Sequence, residues 1–262
     1  MPSTTTVVNG ARAQWGVSDC GQLMGREPNV GLASVEPEGT YEHFGIGVFE
    51  EGYTIAYRIG RQDFVRYDVF ESSNGITCLN SRICRRDEHE FVKVTESKTD
   101  DGIIGIRQTF IIPMNGTRVI IRMELYNCSE KPVELEDLLI KRYADIDVDT
   151  GGTAGWANYQ GRWDKTRYSV FSYNLDSDAP ERKRAHVVNM VAMPSDLPLD
   201  GTFVGKLGSK QYATRDNPQL LSPLPTNPTD GDGILQWRTG RFLPGETIRI
   251  NMYYDAYRSF AK

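Results

Sequence analysis

At 262 residues, with 39% hydrophobic and 25% charged side chains, the chain is long enough to bury a sizeable core, and its composition is neither disordered nor fibrous. The formal net charge is -5 and the basic residues are scattered, so there is no electrostatic footprint for a phosphate backbone and nucleic acid is not an expected partner. No run of about 18 apolar residues occurs, and the opening MPSTTTVVNG has neither a basic n-region nor an apolar core, so no membrane association is expected and a cytoplasmic location is the default.

Taken in chain order, the apolar residues recur with a period of two. Tyr53, Ile55, Tyr57 and Ile59 share one face of a predicted strand, and residues 64 to 70 and 91 to 95 are short β-prone runs. Ile104, Ile106, Phe110 and Ile112 alternate up to a turn at Pro113-Met114-Asn115-Gly116, after which Val119, Ile121, Met123 and Leu125 alternate again. That pattern predicts an antiparallel hairpin. Between residues 133 and 149 the apolar parity changes: Val133, Leu135 and Leu139 are odd, whereas Ile140, Ala144, Ile146 and Val148 are even, which predicts a β-bulge or a doubly covered strand. Further strands are predicted at 168 to 173, 186 to 193 and 247 to 257, and a short helix is conceivable only at 178 to 185. Roughly ten closely spaced strands with almost no room for crossover helices predict an all-β fold, a large antiparallel β-sandwich forming one domain over residues 1 to 262.

The segment KRYADIDVDTGG places Tyr143, Asp145, Asp147 and Asp149 on the face opposite the apolar one. Alternate carboxylates repel one another, so they face a cation, an arginine, a ligand or open water. An EF-hand is excluded, because its sixth and twelfth positions would be Thr150 and Trp156 rather than Gly and Glu. No cofactor and no metal ligands are expected; irregular coordination of a divalent cation such as Ca²⁺ by Asp145, Asp147 and Asp149 is compatible with the pattern but not favoured. Arg142 lies on the other parity, so it cannot pair with these aspartates in a regular strand and, if buried, needs a carboxylate from elsewhere.

From Gly151 to about Arg241 the texture turns irregular, and such stretches in a compact domain commonly serve as functional loops or covers over a sheet face. Trp156, Tyr159, Trp163 and Tyr168, interleaved with Asn158, Gln160, Arg162 and Asp164, suit a polar ligand with an apolar face, or else cap a sandwich edge. His43 and His89 each neighbour acids in sequence, an arrangement that permits acid-base work near neutrality and is equally compatible with an exposed turn; His186 reads as a strand-end residue. Cys20, Cys78, Cys84 and Cys128 have no zinc-binding spacing and read as reduced, structural thiols. P-loop, dinucleotide and serine-hydrolase signatures are absent.

Three segments, VVNGARAQWGVSDCGQL, RVIIRMELYNCSEKPVELEDLLIKRYADIDVD and FLPGETIRINMYYDAY, follow one another in an order that resembles the galactose-mutarotase-like β-sandwich superfamily, including the sandwich domains of glucoamylase-type and phosphorylase-type enzymes. The resemblance implies a sugar-like ligand on a concave sheet face. Mutarotases proper use histidines with a carboxylate base, and that set does not map onto His43, His89 and His186. The expectation is therefore a carbohydrate-binding or carbohydrate-processing protein, acting by lyase, isomerase or hydrolase chemistry. Asp145, Asp147 and His43 are the catalytic candidates, and Tyr143, Trp156, Tyr159, Arg162 and Trp163 the candidates for binding substrate. A non-catalytic binding module, a homo-oligomeric subunit and a small-molecule lyase or isomerase outside sugar metabolism are the alternatives.

Overall fold

The computed structural model describes residues 4–25, 30–44, 50–70, 72–129, 133–149, 157–163, 168–175, 184–205, 211–215 and 224–260. In chain order the strands are β1 (Thr5–Asn9), β2 (Ala13–Ser18), β3 (Leu32–Glu36), β4 (Gly39–Glu42), β5 (Glu51–Ile59), β6 (Gln62–Val69), β7 (Ser72–Asn74), β8 (Ile76–Arg86) and β9 (Glu90–Thr99). They continue with β10 (Ile104–Pro113), β11 (Arg118–Asn127), β12 (Leu135–Asp145), β13 (Tyr159–Trp163), β14 (Ser169–Leu175), β15 (Arg184–Met193), β16 (Leu199–Gly205), β17 (Asp232–Phe242) and β18 (Thr247–Phe260). A 3-10 turn at Gln211–Ala213 is the one helical element among the described residues, none of which forms a helix long and apolar enough to cross a membrane.

The strands form three antiparallel sheets: β1-β2-β3-β4, an eight-stranded sheet β13-β14-β15-β18-β11-β10-β9-β8, and a six-stranded sheet β16-β17-β12-β5-β6-β7. One core joins them. Trp15 and Leu32 from the small sheet, Phe110, Ile121 and Met252 from the large one, and Ile55, Ile140 and Trp237 from the third all belong to it. The predicted hairpin is present, with β10 and β11 in register and every second residue buried, and Gln108 is the polar exception on the inward face of β10.

The parity change in β12 is also present. Its register against β5 shifts between Glu136 and Leu139, and Asp137 there adopts φ 50°. Arg215 holds that residue, Nη2 donating to Asp137 O and Oδ2, both at 2.6 Å. From Leu138 to Ala144 every residue of β12 is buried, because the strand is flanked by β17 and β5, its even side faces the core and its odd side lies under the 211–215 turn. Lys141 Nζ donates to Thr214 O at 2.5 Å and Thr54 Oγ1 to Tyr212 O at 2.5 Å, which fastens that turn across the outer face of the sheet.

Three sequence expectations change. The stretch read as irregular from Gly151 to Arg241 contains, besides β14 and β15 that match the strands predicted at 168 to 173 and 186 to 193, the strands β13, β16 and β17; β17 was obscured because Ile234 to Trp237 is buried on both sides and so does not alternate. The helix conceivable at 178 to 185 lies outside the described residues up to 183, and Arg184 and Ala185 begin β15, where His186 is fully buried. Finally, Cys20 and Cys78 are not free thiols but form a disulfide, whereas Cys84 and Cys128 are exposed thiols. The pairing was invisible in sequence because the two cysteines are 58 residues apart and the fold brings the end of β2 to the start of β8. Disulfides persist in oxidising compartments and are rare in the cytosol, so this bridge weighs against the cytoplasmic expectation. Replacing both cysteines by serine is expected to lower stability by about 2–4 kcal/mol through the freed loop of the unfolded chain; chemical denaturation of the two proteins without reductant measures it, and equal midpoints would contradict it.

β8 closes the large sheet as an edge. Most of its side chains are exposed, Leu79 and Ile83 among them, and its register against β9 shifts at Cys78/Asn80 and again at Ile83/Arg85.

Candidate functional site

The acidic residues meet at one end of the six-stranded sheet, where β12 finishes, β17 begins and the chain enters β5. Asp145 is the last residue of β12 and stands directly opposite Asp232 in the β12–β17 register. Asp145 N donates to Glu50 O at 2.7 Å, which draws Glu50 to the same end. Beyond the strand the chain is held by the Asn158 side chain and by backbone pairing. Asn158, fully buried, donates from Nδ2 to Ile146 O at 2.9 Å and accepts at Oδ1 from Val148 N at 3.1 Å. Ile146 N donates to Gly231 O at 3.0 Å, so Asp147 is carried alongside Asp230.

As a result, carboxylate oxygens of Asp145, Asp147 and Asp230 lie within 4.8 Å of one another, and this trio could hold a metal ion. Asp149 is not part of it. A second grouping, Cys20 and Cys78 with Asp68, has its sulfurs joined to each other, which leaves no thiolate for a metal.

Tyrosines border the carboxylates. Tyr143 Oη donates to Asp232 Oδ1 and approaches Glu50 Oε2 at 3.1 Å, while Tyr212 Oη donates to Glu50 Oε1 at 3.3 Å. The two rings meet edge to face at 5.4 Å, Tyr67 meets Tyr212 at 5.1 Å, and Val69, Phe203 and Ile234 complete a second apolar cluster beneath them. Tyr143 is thus buried in the floor of the site, whereas Asp145, Asp230, Asp232 and Glu50 are partly exposed.

Burial, and after it the neighbouring Asp147, Asp232, Asp230 and Glu50, pushes the Asp145 carboxyl up to about 9. Burial, with Asp230 and Asp232, pushes Asp147 up to about 7. Burial and the Asp232 carboxylate also raise the Tyr143 phenol. All these influences have one origin: negative groups gathered where water is partly excluded. Such a site accepts hydrogen bonds from hydroxyl groups or binds a cation, and it repels anions.

His43 stands behind this wall. Its ring is fully buried; Nδ1 accepts from Asp149 N at 3.2 Å, which leaves Nε2–H to donate to Ser34 Oγ at 3.0 Å. Burial, and the nearby His186, lower its pKa to about 3, so the ring is neutral and fixes the backbone beyond Asp147. Glu42, its neighbour in sequence, accepts at Oε1 from the backbone N–H groups of Gly31, Leu32, His43 and Phe44. Tyr159 and Arg162 lie on β13, at the far edge of the large sheet, where Tyr159 is exposed and stacked on Tyr173 at 5.1 Å. Trp163 ends that strand, and Trp156 lies outside the described residues.

Of the residues singled out in the sequence, Asp145, Asp147 and Tyr143 stand together at this end of the sheet, and Asn158, named there in the aromatic segment, braces the chain beside them; Glu50, Asp230, Asp232 and Tyr212 were not singled out. One signal was available: TDGDG alternates two acids in the same way as ADID, and the two segments prove to be neighbours.

Arg142, on the opposite face of β12, has the partner its burial demands. Glu51 Oε1 accepts from its Nε at 2.7 Å and from Tyr254 Oη at 2.9 Å, and Glu51 Oε2 accepts from Leu23 N. Burial pushes the Glu51 carboxyl up against the pull of Arg142. Every partner is a donor, so the carboxylate is the form the geometry accommodates.

No known protein family's sequence profile matches the chain, and no curated protein matches it. Among solved structures, a galactose mutarotase related enzyme from Lactobacillus acidophilus is 7% identical at a TM-score of 0.41, with 99% of each chain covered. A galactose mutarotase-like protein from Lactobacillus casei is 8% identical at a TM-score of 0.41, covering 97% of this chain and 100% of the other. The GH36 alpha-galactosidase AgaA from Geobacillus stearothermophilus is 6% identical at 0.42, covering 97% of this chain but only 40% of the enzyme. Galactose mutarotase-like proteins thus stand among the solved structures this chain matches, and nothing about activity follows from that likeness.

Proposed function

We propose that the protein binds a carbohydrate, or a similarly hydroxyl-rich ring, at the acidic end of the six-stranded sheet. One observation carries the proposal: Asp145 and Asp232 are paired directly across two strands, with Asp147 beside them. Like charges placed opposite each other weaken a sheet, so packing does not account for the arrangement, and a local rule broken in this way marks a site shaped for a ligand. Hydroxyl groups are donors that match carboxylate acceptors, and the tyrosines beside them offer hydroxyls and ring edges. Phosphorylated or carboxylated ligands are disfavoured by the same charges. Tyr159 and Arg162, with Trp156 and Trp163, remain part of the proposal as residues that bind the substrate, and Asp145 and Asp147 as the groups through which lyase, isomerase or hydrolase chemistry would run.

Binding of neutral saccharides on a glycan array, followed by calorimetric titration of the best ligand, tests this reading. Asp145→Asn and Asp232→Asn are each expected to weaken binding at least tenfold while thermal stability holds or rises, because each removes one of the acids crowded at this end of the sheet. A protein that retains no neutral saccharide, or variants that bind it as the parent does, would overturn the proposal.

A further inference from the structure

We infer that Asp145, Asp147 and Asp230 form a binding site for one hard divalent cation, Ca²⁺ in preference to Mg²⁺. The inference goes beyond the saccharide reading and does not depend on it. One ion with Ca–O bonds of about 2.3–2.6 Å reaches oxygens that lie within 4.8 Å of one another. Carboxylate oxygens without nitrogen or sulfur neighbours select hard cations over zinc or copper.

The cluster alone would not carry the assignment; Asp147 does. Its side chain is only 4% exposed, and its Oδ1 receives no hydrogen bond. Buried carboxylate oxygens are ordinarily supplied with donors, and leaving one without is costly. Here the same carboxylate turns an oxygen toward two others that repel it. A divalent cation resolves both problems at once, satisfying the orphaned oxygen and screening the trio. The backbone carrying these groups is already held: Asn158 clamps residues 146 and 148, Asp147 N donates to His43 O at 3.0 Å, and Asp149 N donates to the His43 ring. The site therefore has fixed ligands on a braced segment, while the partial exposure of Asp145 and Asp230 leaves room for waters to complete the six to eight oxygens that Ca²⁺ takes in flexible geometry, where Mg²⁺ demands a near-ideal octahedron of six at shorter distances. Asp149, which the alternation in sequence made an equal candidate, is left outside the trio.

The test uses the full chain, dialysed against chelator, with CaCl₂ alone as titrant, so failure to bind any saccharide leaves the outcome untouched. Calorimetry is expected to show one Ca²⁺ per chain, at least tenfold tighter than Mg²⁺, with a higher melting temperature in Ca²⁺. Asp147→Asn and Asp230→Asn should each weaken binding tenfold or more, and Asp149→Asn should leave it within twofold. Terbium offers a readout that needs no variant: Tyr143 and Tyr212 lie beside the site, so Tb³⁺ luminescence excited through tyrosine should appear and be displaced by Ca²⁺. The absence of saturable Ca²⁺ binding together with a lack of sensitised terbium emission would overturn the inference, as would equal affinity for Mg²⁺ or an Asp149→Asn variant as defective as Asp147→Asn.

Discussion

Replacement of Arg142 by methionine is expected to destabilise the protein by about 3–5 kcal/mol, the range observed when one partner of a buried ion pair is removed. Arg142 and Glu51 are 2% and 0% exposed, so no water can take over the charge that remains. The guanidinium also donates from Nη1 to Gln108 Oε1 at 2.8 Å and to Gly21 O at 3.3 Å. Its loss therefore leaves Glu51, Gln108 and a backbone carbonyl short of donors between β12, β5 and β10 and the segment after β2. Equilibrium urea unfolding of parent and variant measures the effect, and a change below 1 kcal/mol would refute it. The paired variant Glu51→Leu with Arg142→Met should recover part of the loss, since two apolar side chains leave no orphaned charge.

The second large effect is one of pH. Asp68 is 4% exposed; its Oδ1 accepts from Gln22 Nε2 at 2.7 Å, yet burial pushes the carboxyl up to about 7 against that donation and the pull of Arg142. In the unfolded chain the same group titrates near 4. Below pH 4 both states hold the proton and nothing is lost. Between pH 4 and 7 the folded state keeps a proton that the unfolded state releases, so stability falls as pH rises, by up to about 4 kcal/mol above pH 7. Asp68→Asn has no such proton to lose. Its stability relative to the parent should therefore climb by several kcal/mol from pH 4.5 to pH 8, read from urea midpoints at a series of pH values. A difference independent of pH would show that Asp68 titrates normally.

What the sequence disclosed follows from how local each feature is. The β10–β11 hairpin was legible because both strands bury a single face, and alternation then reports the inside directly. The parity change in β12 announced an irregular or doubly covered strand, but β12 is buried on both faces from Leu138, so alternation did not place the register shift, which falls at Glu136/Leu139. The need of Arg142 for a remote carboxylate was also legible, but not its identity, since Glu51 lies 91 residues away. The candidate site divides along the same line. Asp145 and Asp147 follow from alternation along one extended segment, β12 and the residues just after it, whereas Asp230, Asp232 and Glu50 arrive through strand pairing that no local pattern specifies. For His43, nearness to acids in the chain suggested acid-base work, whereas in the fold its Nδ1 accepts from Asp149 N and Glu42 accepts from backbone N–H groups, that of His43 among them.

The exposed edge strand β8 has a consequence for how the molecule behaves in concentrated solution. A long rim of open amides and carbonyls is the template on which chains stack into fibrils. Here two offsets in the ladder, at Cys78/Asn80 and Ile83/Arg85, interrupt the even spacing an incoming strand would need, and Arg82 and Arg86 add repulsion between identical rims. Crowded copies should accordingly stay apart, and straightening the rim would remove the guard against polymerisation that these irregularities supply.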